Sequence, residues 1–296
     1  MGTRETAIGD YFISLSARLG GKSDTPNLDA QVLLAHVLDE PRAWLLAHPE
    51  MTLTPREERA LEKALRQLES GVPLPYVLGR WQFFGLEFIL RPEVLIPRPE
   101  TELLVERALS WLRQSRVESR ELRAVDVGTG SGCIAIALAA NVPDVHIIAT
   151  DISPIAIDVA RRNSKKLGVA DRIEFFCCDL FPSQPTFDLR LSTFDLIVAN
   201  LPYIPTETLR GLRVYGREPT LALDGGADGL DIIRRLLVEA PRHLAPGGLI
   251  LLEIEASQGL AALALAYDAF AEAEISLHQD LAGRDRLIEI ALKDDG

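Results

Sequence analysis

The sequence predicts an α/β fold preceded by a small helical domain. Residues 1 to about 72 carry apolar residues at helical spacing, and residues 73 to 99 are broken by prolines. From about residue 100, apolar strand-like runs alternate with helical stretches, the pattern of a parallel sheet covered on both faces. A chain of 296 residues has the length of roughly two domains. With 47% hydrophobic and 25% charged residues, it is not wholly disordered.

In the first segment, Leu28, Val32, Leu33, Leu34, Val37 and Leu38 recur at helical spacing after the polar start Thr25-Pro26-Asn27. Thr54 fits an N-cap and Pro55 the first helical position of another helix, whose stripe is Leu61, Leu65 and Leu68. The segment holds 8 basic and 11 acidic residues, so it is not a basic arm. It reads as a bundle for contact or support.

Prolines 73, 75, 92, 97 and 99 exclude long helices from the next stretch. Phe83, Phe84, Leu86, Phe88 and Leu90 suggest short extended pieces of a hairpin. The stretch reads as a structured linker over 73–99, leaving 100–296 as the α/β domain.

The strand candidates of that domain are Ala124-Val127, His146-Thr150, Ile173-Cys178, Phe194-Ala199 and Leu249-Ile254. Helical stretches such as Ile155-Leu167 and Leu230-Leu244 lie between them. Two more strands, Glu274-His278 and Arg286-Leu292, flank Gly283, and so short a connection favours an antiparallel final pair.

Acids exceed bases by 43 to 31, a net charge of −12. That balance disfavours gripping bare nucleic acid through phosphates, which depends on Lys and Arg. Cys133, Cys177 and Cys178 make neither a disulfide framework nor a zinc spacing, so they read as reduced thiols and no metal is expected. No apolar run reaches the ~18 residues of a membrane span, and the start does not resemble a signal peptide. A cytoplasmic monomer is expected. Met1-Gly2 with Thr6 matches a loose myristoylation pattern, with no polybasic segment after it.

Three strand ends carry ligand-type residues. The first runs Val125-Asp126-Val127 into Gly128-Thr129-Gly130-Ser131-Gly132 and then a helix. Glycines allow a tight turn close to a ligand, and N–H groups at a helix start favour an anion. The spacing GxGxG suits a dinucleotide, S-adenosylmethionine or a plain tight turn. Asp151 ends the second strand, where an acid can accept both ribose hydroxyls. Capping the next helix is the other role open to it, though Ser153 suits that better. Asp179 and Leu180 end the third, where an acid can take an adenine amino group and an apolar neighbour can cover the ring. A surface-turn acid is the alternative. Ligands bind at the carboxyl ends of parallel strands, so the coincidence counts for more than any one end.

The fourth strand ends in Asn200-Leu201-Pro202-Tyr203. This resembles the Asn/Asp-Pro-Pro-aromatic motif of methyltransferases that modify planar NH2 groups. Such a nitrogen is a weak nucleophile because its lone pair is delocalised. It needs acceptors that hold both N–H bonds and aim the lone pair. The Asn200 side-chain oxygen and the Leu201 carbonyl can be those acceptors, and Tyr203 can pack against the planar group. Leu201 stands where the motif has its first Pro, but Pro202 still biases Leu201 towards extended backbone. A β-turn after a strand is the bland alternative.

The resemblance extends along the chain. Pro73-Leu74-Pro75-Tyr76-Val77-Leu78-Gly79, Phe84-Gly85-Leu86 and Leu95-Ile96-Pro97-Arg98-Pro99-Glu100-Thr101-Glu102 look like the linker of the HemK/PrmC family. Arg217-Glu218-Pro219, Leu221-Ala222-Leu223, Gly225-Gly226, Asp228-Gly229-Leu230 and Gly283-Arg284-Asp285-Arg286 match its later segments. These are the peptide chain release factor glutamine methyltransferases. The resemblance implies a Rossmann-like, seven-stranded, S-adenosylmethionine-dependent methyltransferase domain whose last strand is antiparallel. It implies N5-methylation of the glutamine in the GGQ loop of class 1 release factors, with S-adenosylhomocysteine as product. The helical domain would help to hold the release factor. Gly128, Thr129, Gly130, Ser131 and Gly132 would hold the methionine part of the cofactor, Asp151 the ribose, and Asp179 and Leu180 the adenine. Asn200, beside the cofactor, would join Leu201, Pro202 and Tyr203 in taking the amide; Arg98, Pro99 and Glu100 would lie near the pocket. A ribosomal-protein glutamine methyltransferase, an adenine-N6 nucleic-acid methyltransferase and a non-catalytic cofactor-binding adaptor are the alternatives. The chain shows no basic, aromatic target-recognition region of the kind base flipping needs. The acidic charge favours a protein substrate, which should meet the enzyme with basic residues.

Overall fold

In a computed structural model, residues 6–115, 122–182 and 193–293 are described. The Met1-Gly2 pattern lies outside them. The chain divides into two compact units, Met1–Arg80 and Trp81–Gly296.

The first unit is helical: α1 (Ile8–Leu19), α2 (Pro26–Leu38), α3 (Arg42–Ala47), α4 (Pro55–Glu69) and α5 (Leu74–Leu78). Thr54 caps α4 as its sequence suggests. Its hydroxyl accepts from the Glu57 N–H at 3.3 Å, and the Glu57 carboxylate accepts from the Thr54 N–H at 2.7 Å. Leu33, Leu34, Leu61 and Leu65 form the centre of its core, with Leu15 and Leu19 from α1. Arg18 on α1 bonds Glu62 and Glu69 on α4, pinning the two helices across the surface. The division falls after Arg80 rather than after residue 72, because Leu74 of α5 is buried in this core. The rest of the expected linker, from residue 81, belongs to the second unit.

The division falls within the hairpin of β1 (Arg80–Phe83) and β2 (Leu86–Ile89), all of which but Arg80 belongs to the second unit. Phe84 and Gly85 both take positive φ, 50° and 72°, as a two-residue hairpin turn requires. The Glu102 carboxylate accepts from the Phe84 N–H at 2.7 Å, seating the turn on the first turn of α6 (Thr101–Gln114).

The sheet contains β3 (Leu122–Val127), β4 (Val145–Asp151), β5 (Ile173–Cys177), β6 (Phe194–Ala199), β7 (Leu244–Glu253), β8 (Glu274–Gln279) and β9 (Asp285–Ala291). The spatial order is β5-β4-β3-β6-β7-β9-β8. Among these strands β9 alone runs antiparallel, to both of its neighbours, as the final pair around Gly283 predicts. All of β6 is buried because helices cover both faces. Leu196 and Val198 join the core under α6 and α7 (Cys133–Asn141). Ile197 and Ala199 join the opposite core, with α10 (Asp231–Glu239) and α11 (Gly259–Ala269). Helix α8 (Pro154–Lys166) follows β4, and the short α9 (Thr206–Gly211) follows β6. The helical stretch expected over 230–244 is cut short at Pro241, which has no N–H to continue the ladder; a 3-10 turn, Ala240–Arg242, leads into β7.

From β3 the chain builds outward through β4 and β5, then returns to the other side with β6 and β7. The reversal lies between the carboxyl ends of β3 and β6, where an open α/β sheet leaves a crevice.

Candidate active site

A cavity of about 620 Å³ opens at this reversal. Its walls include Gly128–Ser131 after β3, Asp151 after β4, Cys178–Leu180 after β5 and Asn200–Pro202 after β6. The four strand ends singled out in the sequence therefore converge. Two further segments, around Val94–Arg98 and Pro219–Ala222, complete the wall.

The glycine loop takes its shape from alternation. Gly128, Gly130 and Gly132 have φ of +75°, +57° and +82°, which side-chain-bearing residues avoid. At Gly132 a Cβ would also meet Ile136 at 2.9 Å and Ala160 at 3.1 Å. The N–H groups of Gly128 and Thr129 donate to the Thr150 carbonyl at 2.9 and 2.8 Å, and that of Gly132 to Thr129 at 2.8 Å. Gly130 donates to Asp151 Oδ2 at 2.8 Å. These four donors hold the loop to its neighbours.

Asp126, in β3, is a supporting residue that the local sequence pattern does not mark. It is fully buried beneath the loop, where Oδ2 accepts from the Thr129 hydroxyl at 2.6 Å and the Ala135 N–H at 3.1 Å. Burial pushes its carboxyl up to about 6. Asn163 is equally unmarked. From α8 it donates to the carbonyls of Ile89 and Ser131 and accepts from the Ile89 N–H at 2.7 Å, joining the hairpin to the loop. Asn163 carries no local signal because its partners lie far off in sequence, and Asp126 reads as one more strand residue before the glycines. Cys133 is buried, with its thiol pushed up to about 12, so it is an inert packing group.

Asp151 splits its carboxylate between two backbone donors, Gly130 on Oδ2 and Ser153 on Oδ1, both at 2.8 Å. Burial raises its pKa. A carboxylate has about four acceptor sites, so both oxygens retain capacity for ligand hydroxyls. Ser153, not Asp151, caps α8, accepting from the Ala156 N–H at 3.3 Å. Asp179 is exposed and ion-paired with Arg235 at 2.5 Å. Leu180 takes φ +58°, and its carbonyl accepts from the buried Thr150 hydroxyl at 2.7 Å.

The Asn200 side chain is oriented by its Nδ2, which donates to Thr101 Oγ1 at 2.9 Å and leaves Oδ1 as the acceptor. Leu201 is buried against the glycine loop: a Cβ on Gly128 would lie 3.0 Å from its Cδ2. Tyr203 stands behind Asn200–Pro202, its hydroxyl bonded to Glu253 Oε1 at 3.2 Å, and it is not among the cavity-lining residues. Its carbonyl accepts from Gln258 Nε2 at 2.8 Å. The loop at Gly225–Gly229 presses on the same residues. A Cβ on Gly225 would come within 2.7 Å of the Pro202 carbonyl, and one on Gly229 within 2.2 Å of that of Tyr203.

Arg98 finds its partner across the chain. It meets Glu218, whose side chain is 3% exposed, at 2.5 Å, and Glu218 also accepts from the Ile96 N–H at 3.3 Å. The pair ties the two outer segments of the cavity together. Among the described residues, no group of three His, Cys, Asp or Glu is placed to hold a metal ion. No helix among them is long and apolar enough to cross a membrane.

Comparison with known proteins agrees with this geometry. The PrmC N-terminal domain family matches residues 12–79, and a methyltransferase domain family matches residues 118–279. The release factor glutamine methyltransferase of Moorella thermoacetica is 42% identical over 285 residues, covering 96% of each chain. That of Bordetella pertussis is 41% identical over 263 residues, covering 88% of this chain and 93% of its own. The N-terminal domain of human METTL16, solved in complex with SAH, shares the fold, with a TM-score of 0.51 at 16% identity, over 88% of this chain and 94% of its own. The chain belongs to the release factor glutamine methyltransferase family.

Proposed function

We propose that this protein methylates the side-chain nitrogen of a glutamine in a class 1 peptide chain release factor, in its GGQ loop, with S-adenosylmethionine as the methyl donor. The observation that carries the reading is the fixed Asn200 amide. Its Nδ2 is committed to Thr101, which leaves Oδ1 as the atom that would accept a substrate N–H at the cavity wall, beside a glycine loop on which a side chain would crowd Leu201.

The cavity suits the cofactor. Its glycine loop leaves room where Cβ atoms would stand, and the Asp151 carboxylate retains acceptor capacity for ribose hydroxyls. Gly128–Gly132 would hold the methionine part, and Asp179 with Leu180 the adenine edge. S-adenosylmethionine, when bound, supplies a methyl group on a positively charged sulfur. The chain's own residues do the rest. Asn200 Oδ1 and the Leu201 carbonyl would each take one N–H of the substrate amide, which fixes its plane so that the nitrogen lone pair, perpendicular to that plane, is turned towards the cofactor side. Pro202, which lines the cavity, limits the tilt of the planar group, and Tyr203 supports the motif from behind. The work is orientation and electrostatic stabilisation, for which effective molarities are large. No metal is required. The helical unit, matched by the PrmC N-terminal domain family, would hold the release factor.

The test is a single incubation of the protein with methyl-labelled S-adenosylmethionine and, separately, a class 1 release factor, a ribosomal-protein extract and DNA. Label on the release factor glutamine is expected. Label on a ribosomal protein or on DNA instead would overturn the reading.

A further inference from the structure

Glu253 takes no part in the proposed grip on cofactor or amide, yet it is 1% exposed at the carboxyl end of the long interior strand β7. A carboxylate is rarely taken so far from water without a task, because its desolvation is costly. Its neighbours indicate the task. Oε1 accepts from the Tyr203 hydroxyl at 3.2 Å. The Thr101 hydroxyl interacts with the same carboxylate. Thr101 is itself 2% exposed, and its oxygen is already the acceptor for Asn200 Nδ2, so its proton is the part left to face Glu253. Two side chains of the amide-binding motif thus converge on one buried carboxylate, Tyr203 directly and Asn200 through Thr101. Arg286 provides the nearby positive charge and Glu100 an opposing negative one. Oε2 is buried with no hydrogen-bond partner among the described residues.

We propose that Glu253 is a positioning residue for methyl transfer, fixing Asn200 through Thr101 and bracing the Asn200–Tyr203 turn from behind through the Tyr203 hydroxyl. The inference rests on the amide-binding role given to Asn200. Asn200 offers Oδ1 to the substrate only while its Nδ2 stays on Thr101, and Thr101 stays turned for that bond only while Glu253 takes its proton. A misplacement of about 1 Å in such a constellation costs on the order of 100-fold in rate.

The full-length protein and its Glu253→Met and Thr101→Val variants, the first removing the acceptor at similar side-chain volume, test this with two readouts. For turnover on the release factor, kcat is expected to fall about 10- to 100-fold in both, with S-adenosylmethionine affinity by calorimetry kept within about twofold. The second readout needs no substrate. The side-chain amide resonances of Asn200, identified by their loss in Asn200→Ala, should shift in both variants and stay in place in Glu274→Gln, which alters an exposed residue of β8. Unshifted Asn200 resonances overturn the inference. So does an unchanged kcat, or a loss of kcat matched by an equal loss of cofactor affinity, which marks a merely structural carboxylate. If the wild-type protein gives no product, the proposed activity fails while the resonances still judge Glu253. Should Glu253→Met fail to fold, Thr101→Val, which removes the hydroxyl that links Glu253 to Asn200, decides alone.

Discussion

The Asp151 carboxylate holds the backbone N–H of Gly130 at 2.8 Å, tying the end of β4 to the glycine loop after β3. One residue therefore shapes the loop and faces the cavity that the loop lines. Asp151→Ala removes both the anchor and the carboxylate proposed to take the ribose hydroxyls. Hydrogen bonds to a charged group are worth about 1.5–3 kcal/mol, so S-adenosylmethionine affinity is expected to fall about 10- to 100-fold. Calorimetry checks this, and an unchanged affinity would remove the ribose role.

Asn200→Ala should separate binding from chemistry. It deletes one oriented acceptor while leaving the glycine loop and Asp151 in place. A turnover loss of about 10²–10³-fold is expected, with cofactor affinity kept. Full turnover on a release factor by this variant, still binding cofactor, would show that the amide is held elsewhere.

Two buried acids set a pH dependence of stability. Burial pushes the Asp126 carboxyl from 3.8 up to about 6 and the Glu253 carboxyl from 4.5 up to about 7. The native protein thus binds these protons more tightly than the unfolded chain does. Their contribution is complete below the unfolded values and is lost as pH rises through the folded ones. Hydrogen bonds to backbone N–H groups lower Asp228 and Asp280, which have therefore finished titrating before this window opens. The melting temperature of the cofactor-free protein is expected to fall between about pH 5 and about pH 7, and less steeply in Glu253→Gln. A profile that rises across that range contradicts the assignment.

Arg98→Ala would strand Glu218, which is buried and holds the Ile96 N–H. A fully buried pair broken on one side costs about 3–5 kcal/mol, and the partial exposure of Arg98 reduces this to about 2 kcal/mol. Denaturant unfolding measures the loss. Glu218→Gln in the same background should recover part of it, because an amide oxygen still accepts from Ile96 without a bare charge. Equal stability of Arg98→Ala and the wild type would mean that the pair holds nothing.

By itself the sequence determined the features that local pattern controls. Apolar runs alternating with helical stretches marked the strands, Thr54-Pro55 marked a helix start, and the GxGxG spacing marked a tight turn, which the structure forms with glycines at positive φ. The strand ends could be gathered into one site because strands in a parallel sheet point their carboxyl ends the same way. Two boundaries lay beyond its reach: where the helical unit ends, set by the burial of Leu74, and where α10 gives way to β7. Only the tertiary structure decided which side chains support the site. Asn200 meets Thr101 across 99 residues of sequence, Arg98 meets Glu218 across 120, and Asn163 meets Ile89 across 74. Glu253 looks in the sequence like one acid at a strand end, and its place between Thr101 and Tyr203 exists only because β6, β7 and α6 are brought side by side. Periodicity and capping act over a few residues along the chain, whereas a hydrogen bond about 3 Å long depends on which elements have become neighbours in space.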